Sequence, residues 1–184
     1  DLLALIGGVT GDDFNYCGGA GNYYVGDTSW HPDGNWGQLW ATKTAFYLDS
    51  VTADSGCLRV IPGSHAAKSI GEHYRDHSDD VTIPETLQRD QFDESKARDI
   101  ELEAGQMVIF DVYMAHGSQA NRSGAKRIGY ALRFMPATSH YDHQDIPIAD
   151  SRGSAHHTRP LIQVRGIDCT GKNDFSPGHP SSPR

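Results

Sequence analysis

Three side chains far apart in the sequence have the types needed to hold one metal ion. His31-Pro32-Asp33 sets an imidazole and a carboxylate at i and i+2. On extended backbone such residues point to the same face, with Cα atoms ~6.5 to 7 Å apart, so both can converge on one ion. A lone H-x-D is a weak signal. His-Pro-Asp also occurs in the loop of J-domain co-chaperones, but that setting needs flanking helices with basic faces, and the flanks here are aromatic and strand-like. The second imidazole is His116, which follows the apolar run QMVIFDVYMA (106–115). A histidine at a strand end is more often structural. Two histidines and one carboxylate on one side of an ion, with the other positions open, form the ligand set of non-haem iron(II) oxygenases. His31, Asp33 and His116 supply those types.

Arg127 opens the next apolar stretch, and period-2 counting puts it on one face with Gly129 and Ala131. Those small residues leave room for a small molecule beside the guanidinium. Arginine binds carboxylates through two parallel charge-assisted hydrogen bonds. By itself Arg127 reads as a surface ion-pair partner; beside a metal set it reads as the anchor of a co-substrate carboxylate.

These residues need strands to position them. Residues 22–31 are aromatic and β-branched and predict a strand; 41–51, Cys57–Ile61, 99–103, 106–115 and 127–136 predict others, separated by turns at 53–56, Pro62-Gly63 and Ala104-Gly105. Residues 66–98 are polar and read as an insertion or lid loop with one short helix near 93–98. Residues 1–20 end in a Gly-rich stretch without a phosphate-loop pattern, and the pattern dissolves after Pro136. Several short antiparallel strands joined by turns predict a mainly β fold, a barrel or double-sheet jelly roll with long loops and few helices. An immunoglobulin-like sandwich fits the strand count, but its Cys…Trp…Cys spacing is missing. One domain over 1–165 with a loose tail over 166–184 is expected.

Composition agrees. The 184 residues are 37% hydrophobic and include 20 Gly, as in a loop-rich β protein. The net charge of −8 gives no global attraction to nucleic acid or to an anionic membrane. Three scattered cysteines favour a reducing compartment over a disulfide framework. With no apolar run of membrane length and no signal peptide, a cytoplasmic location is expected. The chain starts at Asp1, inside an apolar stretch, so the natural N-terminus is expected upstream.

The segments TSWHPDG (28–34), AFYLDSVTADSGCLRVIPGSH (45–65) and GQMVIFDVYMAHGSQANRSGAKRIGYALRFMP (105–136) resemble the phytanoyl-CoA dioxygenase family of iron(II)/2-oxoglutarate oxygenases. That family shows W-H-x-D, then G-C-L-x-V-I-P-G-S-H, then G-D-x-x-x-F-x-x-x-x-x-H-x-S, with Arg eleven residues after the His. All parts occur here in order, with Gln106 where the family often has Asp. The resemblance implies a double-stranded β-helix, a jelly-roll, cupin-like barrel, with iron(II) held by His31, Asp33 and His116. It implies 2-oxoglutarate bound through Arg127, with Ser118 as hydroxyl partner. The implied reaction hydroxylates a small organic substrate with O2, releasing succinate and carbon dioxide. Some members have a Trp where Ala45 stands, which leaves the rest of the co-substrate pocket open; Tyr47 and Tyr23 are inward candidates that equally suit the core. Members usually carry more chain before the H-x-D strand, so 1–184 as a barrel would leave an open sheet edge.

His65 of the P-G-S-H segment reads as structural. His73 and His77 read as part of a solvated loop, and His140, His143, His156 and His157 as surface. Two other function classes remain open. A radical halogenase of this fold replaces the carboxylate ligand with a small residue, which Asp33 opposes. A non-catalytic metal-binding cupin-like module needs no carboxylate anchor, which Arg127 opposes. Oligomeric state is not legible.

Overall fold

The computed structural model of the chain describes residues 1–23, 25–33, 40–66, 92–140, 161–173 and 175. In chain order its elements are helix α1 (Leu2–Thr10) and strands β1 (Phe14–Tyr23), β2 (Thr28–His31), β3 (Thr42–Tyr47), β4 (Leu58–Val60), β5 (Arg98–Ile100), β6 (Met107–Asp111), β7 (His116–Ser118), β8 (Ile128–Pro136) and β9 (Ile162–Arg165). The strands form antiparallel sheets, and the fold is the mainly β, cupin-like jelly roll expected from the strand pattern together with the family resemblance. Among the described residues no helix is long and apolar enough to cross a membrane.

The chain divides into two compact units. The larger takes residues 20–33 and 43–131 of the described set. In it, β2, β7, β4 and β5 form a four-stranded sheet in that order. β7 is an inner strand: Val60 of β4 lies opposite His116 on one side, and His31 of β2 lies opposite His116 on the other. Strands β6, β3 and the first residues of β8 are neighbours in a second sheet. Tyr47, Val51 and Cys57 pack with Ala45 and Leu102, while Ile61 and Ala115 pack with Trp30, Phe92 and Ala97. Each fully buried side chain of Val size stabilises the fold by about 1.5–3 kcal/mol.

The other unit holds α1, most of β1, the rest of β8, and β9. Asp1 caps α1 by accepting the Leu3 N–H at 2.9 Å, and Ile6 is the residue that α1 buries. Phe134 meets Phe14 edge-on at 6.1 Å and lies 5.7 Å from Tyr16.

Several elements differ from the sequence expectation. The stretch 22–31 is not one strand: β1 ends at Tyr23, and β2 begins at Thr28 after exposed Val25, Gly26 and Asp27. The run 106–115 also divides. Asp111 Oδ1 accepts the Tyr113 N–H at 2.8 Å and its carbonyl accepts the Met114 N–H at 2.9 Å, turning the chain. His116 therefore opens a new strand instead of closing the old one. Strand β1 runs through the Gly-rich stretch 17–21, for which, as for β9 and α1, there was no sequence expectation of an element. The short helix near 93–98 is a single 3-10 turn, Glu94–Lys96. Most of the expected lid loop, with His73 and His77, lies outside the described residues, as do His143, His156, His157 and the end of the expected tail.

Candidate metal centre

His116 is centred between its two neighbouring strands, and the backbone around it is tied from several sides. The Ile61 N–H donates to the Ala115 carbonyl at 3.0 Å. The Ala115 N–H donates to Ser64 Oγ at 2.8 Å, and that hydroxyl donates to Met114 Sδ at 3.4 Å. The P-G-S-H segment thus acts through buried Ser64, a role the sequence reading did not find, whereas His65 is exposed. Asp33 is fixed by its own N–H, which donates to the Val112 carbonyl at 2.7 Å.

The ligand atoms of His31, Asp33 and His116 all lie within 4.8 Å of one another. Asp33 Oδ1 is 4.0 Å from His31 Nε2, and Asp33 Oδ2 is 3.5 Å from His116 Nε2. Each imidazole is oriented from behind: His31 Nδ1 lies 2.8 Å from the Ser29 carbonyl and His116 Nδ1 lies 2.8 Å from the Met114 carbonyl. Proton placement on Nδ1 satisfies those carbonyls and leaves each Nε2, beside the carboxylate, able to donate its lone pair, as a metal-ligating histidine must. Burial first, then His31 and the Lys43 ammonium, hold His116 well below the usual histidine range, against the opposing pull of Asp33. The neutral imidazole is the form that binds a metal.

The donor set fits a divalent first-row ion: two imidazoles and one carboxylate, converging on one point. The point attracts positive charge, because the Lys43 ammonium already sits 2.5 Å from Asp33 Oδ2 and 3.3 Å from His116 Nε2. Lys43 was missed by the sequence reading. The available signal was period 2: Lys43, Ala45 and Tyr47 alternate along β3 and all three line the same cavity of about 110 Å³.

That cavity also reaches His31, Ser118 and Arg127. Arg127 is 2% exposed. Its Nη1 donates to the carbonyls of Gly56 and Gln119, and its Nη2 donates to Ser118 Oγ at 3.1 Å. Gly56 has φ +75°, and a Cβ there would run into the Gln119 carbonyl and Arg127 Nη1. Only glycine lets this carbonyl approach the guanidinium. Gly117 has a similar duty, since a Cβ would lie 2.8 Å from the Thr28 carbonyl, where the β2–β7 register is irregular.

The sequence matches the profile of the Phytanoyl-CoA dioxygenase (PhyH) family over residues 9–129. The chain belongs to the phytanoyl-CoA dioxygenase family. All five expected site residues fall inside the matched span, and so does Lys43. A curated relative, "Phytanoyl-CoA dioxygenase domain-containing protein 1 homolog" of Caenorhabditis briggsae, is 28% identical over 92 residues, 48% of this chain and 32% of the relative. The chain thus spans about a third of that relative's length. Among solved structures, "Non-heme monooxygenase, ThoJ-Ni complex" is 21% identical with a TM-score of 0.64, covering 94% of this chain and 59% of that one. EctD from S. alaskensis, solved with 2-oxoglutarate and 5-hydroxyectoine, is 20% identical with a TM-score of 0.56, covering 72% of this chain and 48% of that one. These likenesses establish the fold.

Within this family frame, Ala45 stands on the cavity wall, and so does Tyr47, which is 4% exposed. Tyr23 is 60% exposed and is not an inward residue. Phe110, the Phe of the G-D-x-x-x-F pattern, packs edge-on against the His116 ring at 5.0 Å and lines the cavity.

Proposed function

We propose that this protein is an iron(II)- and 2-oxoglutarate-dependent dioxygenase that hydroxylates a small organic substrate. The convergence of His31, Asp33 and His116 carries the reading. Their two Nε2 atoms and one carboxylate would hold the ion and leave its remaining positions open to the cavity. Iron(II) held there would activate O2, the oxidant, one oxygen atom going into succinate as 2-oxoglutarate loses carbon dioxide and the other into a substrate C–H bond.

The chain's own residues do the rest. The carbonyls of Gly56 and Gln119 hold the Arg127 guanidinium from one side, and Ser118 stands on another. Arg127 and Ser118 would receive the far carboxylate of the 2-oxo acid and so orient its other end toward the metal ligands. Phe110 and Tyr47 wall the cavity with ring surface, which limits water around the reacting atoms. Asp33 fills the ligand position that a halogenase would keep for halide. The net charge of −8 does not favour the phosphates of coenzyme A, so a small free metabolite is the favoured substrate class.

The test is anaerobic addition of iron(II) and then 2-oxoglutarate, read as a weak visible charge-transfer band, followed by oxygen and measurement of succinate. Succinate formation that needs both iron and 2-oxoglutarate is expected. A protein that forms no band and no succinate above the metal-free control is not a dioxygenase of this kind.

A further inference from the structure

Lys43 reaches from β3 into the candidate metal centre. Its Nζ contacts Asp33 Oδ2 at 2.5 Å and His116 Nε2 at 3.3 Å, two atoms that the proposed ion would use. The Phe110 ring lies 5.9 Å from the same nitrogen. Solvent reaches this group poorly: the side chains of Lys43 and Asp33 are 16% and 9% exposed. An ammonium and a divalent cation cannot both take that position, because like charges a few ångströms apart repel strongly where water is scarce. The ammonium has somewhere to go. Its four-carbon stem is flexible, and the cavity beside it is lined by small Ala45 and by Ser118.

We propose that Lys43 is an internal competitor for the metal position, an inference that rests on the metal reading above. Metal uptake requires the ammonium to leave Asp33 and His116. The displaced charge then stands in the cavity where an anionic 2-oxo acid binds, so each ligand favours the other. Metal alone binds weakly, and the co-substrate strengthens it. By linkage the metal strengthens the co-substrate to the same degree.

The experiment titrates manganese(II) into the full chain and follows loss of the free-ion paramagnetic resonance signal, with and without 2-oxoglutarate. Parent, Lys43→Met, Lys43→Gln, Lys43→Arg and His116→Ala are compared, with circular dichroism as the folding control and Lys43→Gln standing in should Lys43→Met not fold. Without 2-oxoglutarate the two neutral variants should bind manganese at least about tenfold tighter than the parent. Lys43→Arg should stay weak, and 2-oxoglutarate should strengthen binding less in the neutral variants than in the parent. The metal-free neutral variants should melt below the parent and gain more from manganese. Equal or weaker manganese binding by the neutral variants, with binding abolished by His116→Ala, would overturn the competition and leave the metal reading standing. Absence of binding in every protein would overturn both.

Discussion

His31 and His116 are Cα partners across the β2–β7 ladder, and their rings stand 4.3 Å apart at an interplanar angle of 46°. Strand pairing, not loop conformation, sets the distance between the two imidazoles. Asp33 joins them two residues past His31, held by the Val112 carbonyl. A centre built on paired strands holds its geometry better than one built on loops.

His116→Ala should leave a folded protein that no longer binds iron(II) or manganese(II) specifically. His116 is 3% exposed, so some stability is also lost, about 1–3 kcal/mol as for other buried truncations. Anaerobic iron titration with 2-oxoglutarate should show the charge-transfer band in the parent and none in the variant. An unchanged band removes His116 from the site.

Arg127→Ala should weaken 2-oxoglutarate by about 10²- to 10³-fold. It should also lower the melting temperature, because the carbonyls of Gly56 and Gln119 lose their donor. Ser118→Ala keeps the guanidinium and should cost only about tenfold in co-substrate affinity with little change in melting. Calorimetry with metal present measures both. A loss below about threefold in Arg127→Ala places the carboxylate anchor elsewhere.

Gly117→Ala tests the close crossing of β7 and β2. Its Cβ would sit 2.8 Å from the Thr28 carbonyl, on backbone that cannot turn aside. A cost of about 1–3 kcal/mol is expected, together with weaker metal binding as His31 shifts. Gly26→Ala meets nothing within 4 Å and should change stability by no more than about 0.5 kcal/mol. Denaturant unfolding of the two variants should separate them; equal midpoints would show that the β2–β7 crossing has slack.

Cys57 predicts an alkaline loss of stability. Burial, and then the Asp99 carboxylate, push its thiol up to about 11 from an ordinary 9.0. An unfolded chain releases this proton near its ordinary pKa, while the folded one keeps it. Stability therefore falls as pH rises from about 9 toward about 11, by up to about 1.4 kcal/mol per pH unit. Unfolding of the parent between those limits should be steeper in pH than that of Cys57→Ala; parallel curves would count against a buried neutral thiol.

Part of the candidate site was legible because its rules are local. His31 and Asp33 are close in sequence and their ligand atoms do come together, although the strand ends at His31 and Asp33 lies in a bend beyond it; Arg127 and Ala131, two periods apart, line one cavity. Lys43 obeys that period too, yet a lysine in a strand ordinarily faces water, and nothing in β3 by itself says which sheet packs over that face. The break at Asp111 was hidden for a related reason. QMVIFDVYMA is apolar apart from Gln106 and Asp111, and the Asp111 side chain accepting the Tyr113 N–H turns one apparent strand into a strand and a turn.

Sequence alone determined residue types, strand periodicity and family pattern, because each depends on spacing along one segment. Tertiary structure decided the rest: that His116 lies between β2 and β4, that Ser64 ties the approach to it, that Gly56 and Gly117 must lack a Cβ, and that an ammonium from β3 rests on Asp33. Those facts come from pairing and packing between segments far apart in the chain, where the contact depends on which faces meet.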